Sequence, residues 1–290
     1  MNESAEEHRQ GDAEVSKKIA PDPGHPISSL LHAPAQPGSQ TIAPPRRLTV
    51  AGIPIANLSE DEAVALIDKL VSEGGPHYGA VVNAAKIVGA NRDERLKHVL
   101  LEADLVTADG MSVVWASRLF GRALRERVTG IDLFERLVEH AAHRGLSLYF
   151  LGALEESVRQ TVELFAIRHP KLRIAGYRNG YFAMSDSGAV ADAIKASNAD
   201  LLFVAMGSPA QEYWIASNLV RTGVCFALGV GGSFDHVSGR VARAPRWMQR
   251  LGLEWFHRLI HEPRRLWKRY FVGNLRFMWL VAKQFVSGER

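Results

Sequence analysis

One aspartate stands where a catalytic base would be expected. A short apolar run at 105–107 (LVT) leads into Asp109 and Gly110, and an apolar helical pattern follows. A carboxylate at the end of a strand, beside a glycine, faces the crevice in which open α/β sheets bind ligands. We therefore interpret Asp109 as a candidate general base. The alternative is a helix N-cap, a position in which aspartate is common.

Glycines follow three of the predicted strands, at Gly152, at Gly207 and in the GVGG run of 229–232. A glycine lets a ligand approach the backbone closely, and a following helix N-terminus offers free N–H groups to a phosphate. The repetition at three strand ends favours a nucleotide ligand. Phe234 replaces the third glycine of a dinucleotide fingerprint, which argues against an NAD enzyme.

The elements that hold these residues alternate between strand and helix. Apolar runs predict strands over 77–83, 105–107, 146–151, 172–177, 200–206 and 224–228, with a strand pair over 48–55. Helical periodicity predicts helices over 60–71, 84–101, 111–119, 130–143, 155–168, 186–196 and 209–220, the last with Ser208 as its N-cap. The alternation predicts an α/β fold, a Rossmann-like and mostly parallel sheet with helices on both faces.

Composition divides the chain into three parts. Residues 1–45 hold seven of the thirteen prolines without periodicity, which predicts a disordered leader. Residues 46–239 carry the α/β pattern and form the predicted catalytic domain. Residues 240–290 form a helical, basic and aromatic appendage, with twelve Lys or Arg and three Glu in a chain of net charge +4. This imbalance indicates a negatively charged partner: phosphate, nucleic acid or an anionic membrane surface.

The appendage contains an amphipathic helix, predicted over 266–285. Its basic stripe consists of Arg265, Arg269, Arg276 and Lys283. Its apolar stripe consists of Trp267, Phe271, Met278, Val281 and Phe285. Such a pattern is typical of an interfacial membrane helix. The alternative is an ordinary amphipathic helix packed on the domain.

The single cysteine, Cys225, lies in an apolar run and is expected in the core. No disulfide can form, and a reducing compartment is expected. Neither a secretory leader nor an apolar run long enough to span a membrane is recognised. The sequence therefore predicts a cytoplasmic location.

Seven segments, in order and with their spacing intact, resemble the bacterial WecG/TagA/CpsF family of glycosyltransferases. They are VVNAAKIVGA (81–90), ADLVTADGMSVVWASRLFG (103–121), ERVTGIDLF (126–134), FLGA (150–153), GSPAQEYWI (207–215), GVGGSFDHVSG (229–239) and RAPRWMQRLGLEWFHRLIHEPRRLWKRY (243–270). The resemblance covers about residues 48–285 and excludes only the leader.

The resemblance implies inverting transfer of a sugar from a UDP-sugar to a polyprenyl-diphosphate-linked saccharide in cell-surface or exopolysaccharide biosynthesis, without a metal or other cofactor. The chain suits this, because it has no Asp-x-Asp motif, and arginines with helix N-termini can stabilise a departing diphosphate. The implied protein is peripheral on the inner face of the cell membrane. Exchange between monomer and homo-oligomer stays open.

Carried over position by position, the resemblance makes Asp109 the base that deprotonates the acceptor hydroxyl. Asn83 matches a pocket asparagine, with a helix N-cap as its alternative role. Arg127 matches an arginine that meets phosphate, with a solvated loop charge as the alternative. Val81 replaces the threonine that is usual two residues before Asn83. No hydroxyl role is carried over there, which leaves room for a different donor sugar or acceptor.

Further positions would bind the substrates. Gln211 matches the glutamine of GSPAQE, although Ser208 and Gln211 also form a capping-box pattern. Asp235 is expected to contact the ribose or base, with a turn cap as its alternative. Arg258 and Arg265 match appendage arginines that fold over the site and hold the diphosphate. The predicted substrate-binding glycines are Gly152, Gly207, Gly229, Gly231 and Gly232.

Two other classes of function stay open at this point. A non-catalytic, membrane-tethered UDP-sugar-binding module would bind UDP and be indifferent to Asp109. A nucleic-acid binder would use the basic appendage. The tryptophan-rich apolar face argues against the second class, so no nucleic-acid partner is expected. We favour an enzyme, a hexosyl- or N-acetylhexosaminyltransferase.

Overall fold

The computed structural model describes residues 45–250, 252–261 and 263–288, without the side chains of residues 246, 250, 258 and 261–270. The predicted leader, apart from its last residue, lies outside the described residues.

The strands are β1 (Arg47–Val50), β2 (Ile53–Ala56), β3 (His77–Val82), β4 (Leu105–Ala108), β5 (Ser147–Gly152), β6 (Arg173–Arg178), β7 (Leu201–Ala205) and β8 (Phe226–Gly229).

Helices follow most of the strands. The first six are α1 (Glu60–Glu73), α2 (Ala84–Ala90), α3 (Glu94–Glu102), α4 (Met111–Leu119), α5 (Gly130–Arg144) and α6 (Glu155–Arg168). The next six are α7 (Ser187–Ala196), α8 (Ala210–Thr222), α9 (Ser233–Val237), α10 (Arg246–Arg250), α11 (Glu254–His261) and α12 (Pro263–Ser287).

Six strands form one parallel sheet in the order β4-β3-β8-β7-β5-β6. The remaining two strands, β1 and β2, pair as a separate antiparallel hairpin. The predicted Rossmann-like α/β fold with a C-terminal helical appendage is confirmed. Parallel strands need crossover helices, and these helices cover both faces of the sheet.

Alternating side chains of the central strands enter two separate cores. In β7, Leu202 and Val204 pack on a first face beneath α2, α3, α4, α7, α8 and α12. Leu201 and Phe203 pack on a second face beneath α1, α5, α6 and α9. Five phenylalanines meet in the second core: Phe134, Phe150, Phe165, Phe203 and Phe234. Cys225 is half-buried against this core, as its apolar surroundings predict.

The long C-terminal helix belongs partly to the first core. Phe277 and Val281 of α12 are buried there. Gln284 accepts a hydrogen bond from the Ala51 N–H at 2.7 Å and donates one to the Thr49 carbonyl at 3.0 Å, which fixes the helix to the β1–β2 hairpin. The placement of Val281 on the membrane-facing stripe is therefore wrong, because that side chain faces the domain.

Two predicted helix boundaries need correction. The helix expected over 84–101 is divided into α2 and α3, because the Asp93 carboxylate caps α3 by accepting from the N–H groups of Arg95 and Leu96. Helix α8 begins at Ala210 with Pro209 as its N-cap, so Ser208 does not cap it. The Ser208–Pro209 peptide bond is cis.

One ion pair at the amino ends of β3 and β4 makes folding depend on pH. The Asp104 carboxylate lies 3.1 Å from His77 Nδ1 and raises the pKa of that histidine, against the opposing effect of burial. A raised pKa in the folded state stabilises the fold below the pKa of the unfolded chain, and this stabilisation is lost as the pH rises through the folded pKa.

We therefore expect His77→Gln to lower the free energy of unfolding by about 1 kcal/mol at about pH 5.5 and by clearly less at about pH 8.5. Urea denaturation at the two pH values measures the difference. In an Asp104→Asn background the same substitution should lose its pH dependence. An equal loss at both pH values in the natural background would contradict the assignment.

Candidate active site

The carboxyl ends of the parallel strands meet along one side of the sheet, which we call the carboxyl edge. Asp109 follows β4, Asn83 follows β3, and Gly231 and Gly232 follow β8. Gly207 follows β7, and Gly152 ends β5. Since these five strands are neighbours, the fold brings the predicted residues to the edge where open α/β sheets bind ligands.

Asp109 and Asn83 sit side by side at this edge. The Asp109 N–H donates to the Val82 carbonyl at 2.9 Å, and a Cβ on Gly110 would lie 3.5 Å from Asn83 Cβ. Gly110 is the N-cap of α4, so Asp109 precedes the cap position and does not occupy it. Asn83 does cap a helix, because its Oδ1 accepts from the Lys86 N–H at 3.0 Å. The catalytic and pocket roles of the two residues stay predictions.

Val81 lies in an apolar contact. Val81 is buried in the second core, and its methyl groups lie 3.7 to 3.8 Å from the place that a Cβ on Gly130 would take. Gly130 is the first residue of α5. An apolar side chain at residue 81 therefore fills the contact between β3 and the start of α5.

Gln211 lies at the centre of a buried hydrogen-bond chain, which runs through Gly231, Gln211, Glu212 and Lys86. Gln211 Oε1 accepts from the Gly231 N–H at 3.0 Å, and its Nε2 donates to Glu212 Oε1 at 2.8 Å. Lys86 Nζ donates to the same Glu212 oxygen at 2.7 Å. The capping-box alternative for Gln211 is wrong, since Pro209 is the N-cap and the amide bonds to the turn after β8.

Sequence reasoning missed two members of this chain, Lys86 and Glu212. Glu212 directly follows Gln211 in the GSPAQE stretch, but its partner Lys86 is 126 residues away. No local pattern indicates such a pair. Both side chains are buried, with 8% and 3% of their surfaces exposed, so the ion pair is largely shielded from water.

The five predicted glycines fall into two groups. A Cβ on Gly152 would lie 2.4 Å from the Ala205 carbonyl oxygen, and one on Gly229 would lie 2.6 Å from Gln211 Nε2. Internal packing alone requires these two glycines. At Gly207, Gly231 and Gly232 a Cβ would meet no atom within 4 Å. Only these three positions leave open space in which a ligand could approach the backbone.

Asp235 has a buried oxygen suited to a ligand. Its Oδ1 is buried and makes no hydrogen bond to any part of the chain that the structure describes. The turn that follows uses the Asp235 backbone carbonyl, which accepts from the Val241 N–H at 2.9 Å. A buried acceptor without a donor costs free energy, so this carboxylate favours a bound hydroxyl or N–H group. Its contact with ribose or base stays a prediction.

Arg127 is part of an ion-pair network that joins the appendage to the start of α5. Arg127 Nη1 lies 2.6 Å from Glu254 Oε2, and Glu254 Oε1 lies 3.5 Å from Arg243 Nε. Arg243 Nη2 in turn donates to Asp132 Oδ1 at 2.6 Å. We call Arg127, Glu254, Arg243 and Asp132 the edge network. The Arg127 side chain is only 16% exposed, so the alternative of a solvated loop charge is wrong.

The appendage crosses the carboxyl edge beside Asp109. A Cβ on Gly252 would lie 2.2 Å from Met111 Cγ, and Met111 stands two residues after Asp109. The side chains of Arg258 and Arg265 lie outside the described residues, so their predicted contacts stay predictions.

Sequence reasoning missed Glu254 and Arg243. The available signal was that Glu254 is the sole carboxylate among the cations of 240–261.

The structure combines a Rossmann-like sheet with an aspartate and open glycine turns at its carboxyl edge and lacks a dinucleotide fingerprint, an arrangement that suits an α/β group-transfer enzyme. The profile of the glycosyl transferase WecG/TagA/CpsF family matches residues 48–290, and the chain belongs to this family. The predictions of the family and of a sugar-transferring enzyme are confirmed.

Two relatives are similar over most of their length. A protein of Bacillus spizizenii is 39% identical over 217 residues, which is 72% of this chain and 83% of that protein. A protein of Bacillus subtilis is 36% identical over 229 residues, which is 76% of this chain and 86% of that protein. Both are named N-acetylglucosaminyldiphosphoundecaprenol N-acetyl-beta-D-mannosaminyltransferase.

The two groups of glycines can be separated by substitution. We expect Gly229→Ala to lower the free energy of unfolding by about 1–3 kcal/mol, because its Cβ must displace Gln211. Gly232→Ala should change stability by less than about 0.5 kcal/mol. If the open turn holds a diphosphate, Gly232→Ala should still weaken UDP binding about tenfold or more. Denaturation and calorimetric titration with UDP measure the two effects, and unchanged UDP affinity in Gly232→Ala would contradict the assignment of that turn.

Proposed function

We propose that this chain transfers N-acetylmannosamine from its UDP-sugar to N-acetylglucosaminyl-diphospho-undecaprenol, with inversion and without a metal. The names of the two relatives suggest both sugars and the lipid. The observation that supports the chemistry most directly is the place of Asp109, which follows β4 at the carboxyl edge, one residue before the cap of α4 and beside the appendage.

In the proposed reaction an acceptor hydroxyl attacks the anomeric carbon of the donor from the face opposite UDP. The new oxygen–carbon bond forms as the bond from that carbon to the UDP oxygen breaks, and the hydroxyl proton passes to the Asp109 carboxylate. UDP leaves with the electron pair. This single displacement inverts the configuration at the anomeric carbon.

The departing diphosphate needs positive charge that is already in position. Arg127 provides it by exchanging the Glu254 carboxylate for a phosphate oxygen, and the appendage residues Arg258 and Arg265 add to it. The open turn at Gly231 and Gly232 lets the protein backbone contact the phosphates of the donor. Asp235 binds the nucleoside. Each of these roles is consistent with a position at the carboxyl edge or in the segment that crosses it.

The appendage also accounts for access to a lipid-linked acceptor. One side of α12 is exposed and apolar, and we call it the apolar face: Phe271, Leu275, Met278, Trp279 and Phe285. Each of these side chains is more than half exposed, in a segment with an excess of nine positive charges. Among the described residues no helix could cross a bilayer. A peripheral attachment of this face to anionic lipid on the inner side of the membrane fits both properties.

The assignment of the base is tested by Asp109→Asn. We expect the turnover rate to fall by about 100- to 10,000-fold, because an amide cannot accept the hydroxyl proton. A synthetic lipid-diphosphate-N-acetylglucosamine acceptor, a panel of UDP-sugars and EDTA define the assay. Asp192→Asn, in an exposed ion pair on α7, is the control and should keep full activity.

Transfer from one donor, unaffected by EDTA and lost only in Asp109→Asn, would establish donor and base together. Equal transfer by both variants would refute the role of Asp109. UDP binding by the natural chain without transfer from any donor would instead favour the non-catalytic UDP-sugar-binding module.

Membrane attachment is tested by Met278→Asp on the apolar face. Burial of one such side chain contributes about 1.5–3 kcal/mol, so its replacement by a carboxylate should weaken binding to phosphatidylglycerol vesicles about tenfold or more. Vesicle flotation measures the bound fraction. Ile167→Asp is a matched control, because Ile167 is 76% exposed on α6, against the other face of the sheet. Equal flotation of both variants would rule out the apolar face as the attachment site.

A further inference from the structure

A groove on the first face opens onto the carboxyl edge, and the roles assigned so far do not use it. It lies between α2, the start of α3, the start of α8 and α12, and encloses about 330 Å³. Asn83 and Ser208 line the end nearest the strands, and Val272, Gly273 and Arg276 of α12 line one wall. Asn83 is the residue that stands beside Asp109 and Gly110.

Two arginines give the groove a net positive charge. Arg92 lies in the turn between α2 and α3, and Arg276 lies on α12. Within the described residues neither guanidinium makes a hydrogen bond or an ion pair, whereas the other charged groups of the lining are satisfied. Lys86 pairs with Glu212, and the Asp93 carboxylate caps α3 and accepts from the Tyr213 hydroxyl. The two free arginines are therefore available to an anion.

The remaining lining is largely apolar. Val88, Leu96, Pro209 and Val272 contribute hydrocarbon surface to the lining. A groove with guanidinium groups and an apolar lining suits an amphiphile that carries an anionic head on a hydrocarbon chain. One guanidinium group can bind two phosphate oxygens at once. Burial of methylene groups adds favourable free energy of binding through the hydrophobic effect.

We propose that this groove binds the lipid end of the acceptor, with Arg92 and Arg276 on its diphosphate and the apolar lining on its first isoprene units. This inference rests on the proposed function and adds the binding site for the lipid. The open glycines after β7 and β8 do not line the groove and are left for the donor, and Gly207 directly precedes Ser208 at the groove's end. An acceptor that leaves the groove at Asn83 presents its sugar to Asp109.

The position of α12 supports the same occupant. Val272 and Arg276 face the groove, while their neighbours Phe271 and Leu275 belong to the exposed apolar face. The groove and the proposed bilayer surface thus lie on two sides of the same helix, one helix width apart. A polyprenyl chain anchored in the bilayer would reach the groove by passing around this helix.

Calorimetric titration of the full chain with a water-soluble probe, N-acetylglucosamine-diphosphate-farnesol, tests the proposal. We expect the natural chain to bind this probe at least tenfold more tightly than the methyl diphosphate analogue. Arg92→Ala and Arg276→Ala should each weaken probe binding about tenfold or more and leave UDP affinity within twofold. Lys97→Ala removes a cation of α3 that does not line the groove, and it should bind the probe as the natural chain does.

Three results would overturn the proposal: no preference for the farnesyl probe, unchanged affinity in both arginine variants, or an equal loss in Lys97→Ala. The acceptor KM in the transfer assay provides a second reading, since it should rise in the arginine variants while the donor KM stays constant. A natural chain that binds the probe through both arginines but transfers no sugar would support the groove and refute the proposed function. Transfer with an unchanged acceptor KM in both variants would refute the groove alone.

Discussion

The carboxyl edge depends on the buried hydrogen-bond chain from Gly231 through Gln211 and Glu212 to Lys86. Unpaired polar groups are costly in a protein interior, so none of the elements it joins can move without breaking a shielded bond. The chain fixes the turn after β8, the start of α8 and the start of α2 relative to one another. The open glycines and Asn83 are therefore held at a constant separation before any substrate binds. Such preorganisation lets an enzyme stabilise a transition state without paying for rearrangement during the reaction.

The appendage is attached in two physically different ways. Helix α12 is held by apolar burial of Phe277 and Val281 and by the hydrogen bonds of Gln284, which a soluble anion cannot replace. The segment around Glu254 is held by the edge network, whose side chains are 16% to 33% exposed. In the proposed reaction a phosphate competes for Arg127 with a carboxylate that is partly open to water. The protein thus combines a rigid wall at α12 with a cover over the carboxyl edge that the proposed substrate would displace.

Much of this fold could be predicted because local patterns determine it. Helices α4 and α6 match their predicted ranges at both ends, and the buried strands appear as uninterrupted apolar runs. The break between α2 and α3 was missed although the Asp93 cap that makes it is a local signal. The bond of Asp93 to Tyr213, which is 120 residues away, could not be read from local spacing. The partner of Arg127 is likewise 127 residues distant. Sequence spacing placed Asp109 and Asn83 at strand ends, but it carries no information about contacts that only the tertiary fold creates, such as the groove.

Helix α12 shows why a two-sided interpretation of its sequence was incomplete. A helix of 3.6 residues per turn has room for three faces, and here each meets a different environment. Phe277 and Val281 meet the core, Val272 and Arg276 meet the groove, and Phe271 and Met278 meet the outside. A pattern analysis that separates only apolar from basic positions merges the first face with the third. If the outer face lies on lipid, attachment to the membrane and capture of a lipid-linked acceptor occur on one rigid element. Attachment would then set both the surface concentration of acceptor at the groove and its direction of approach to Asp109.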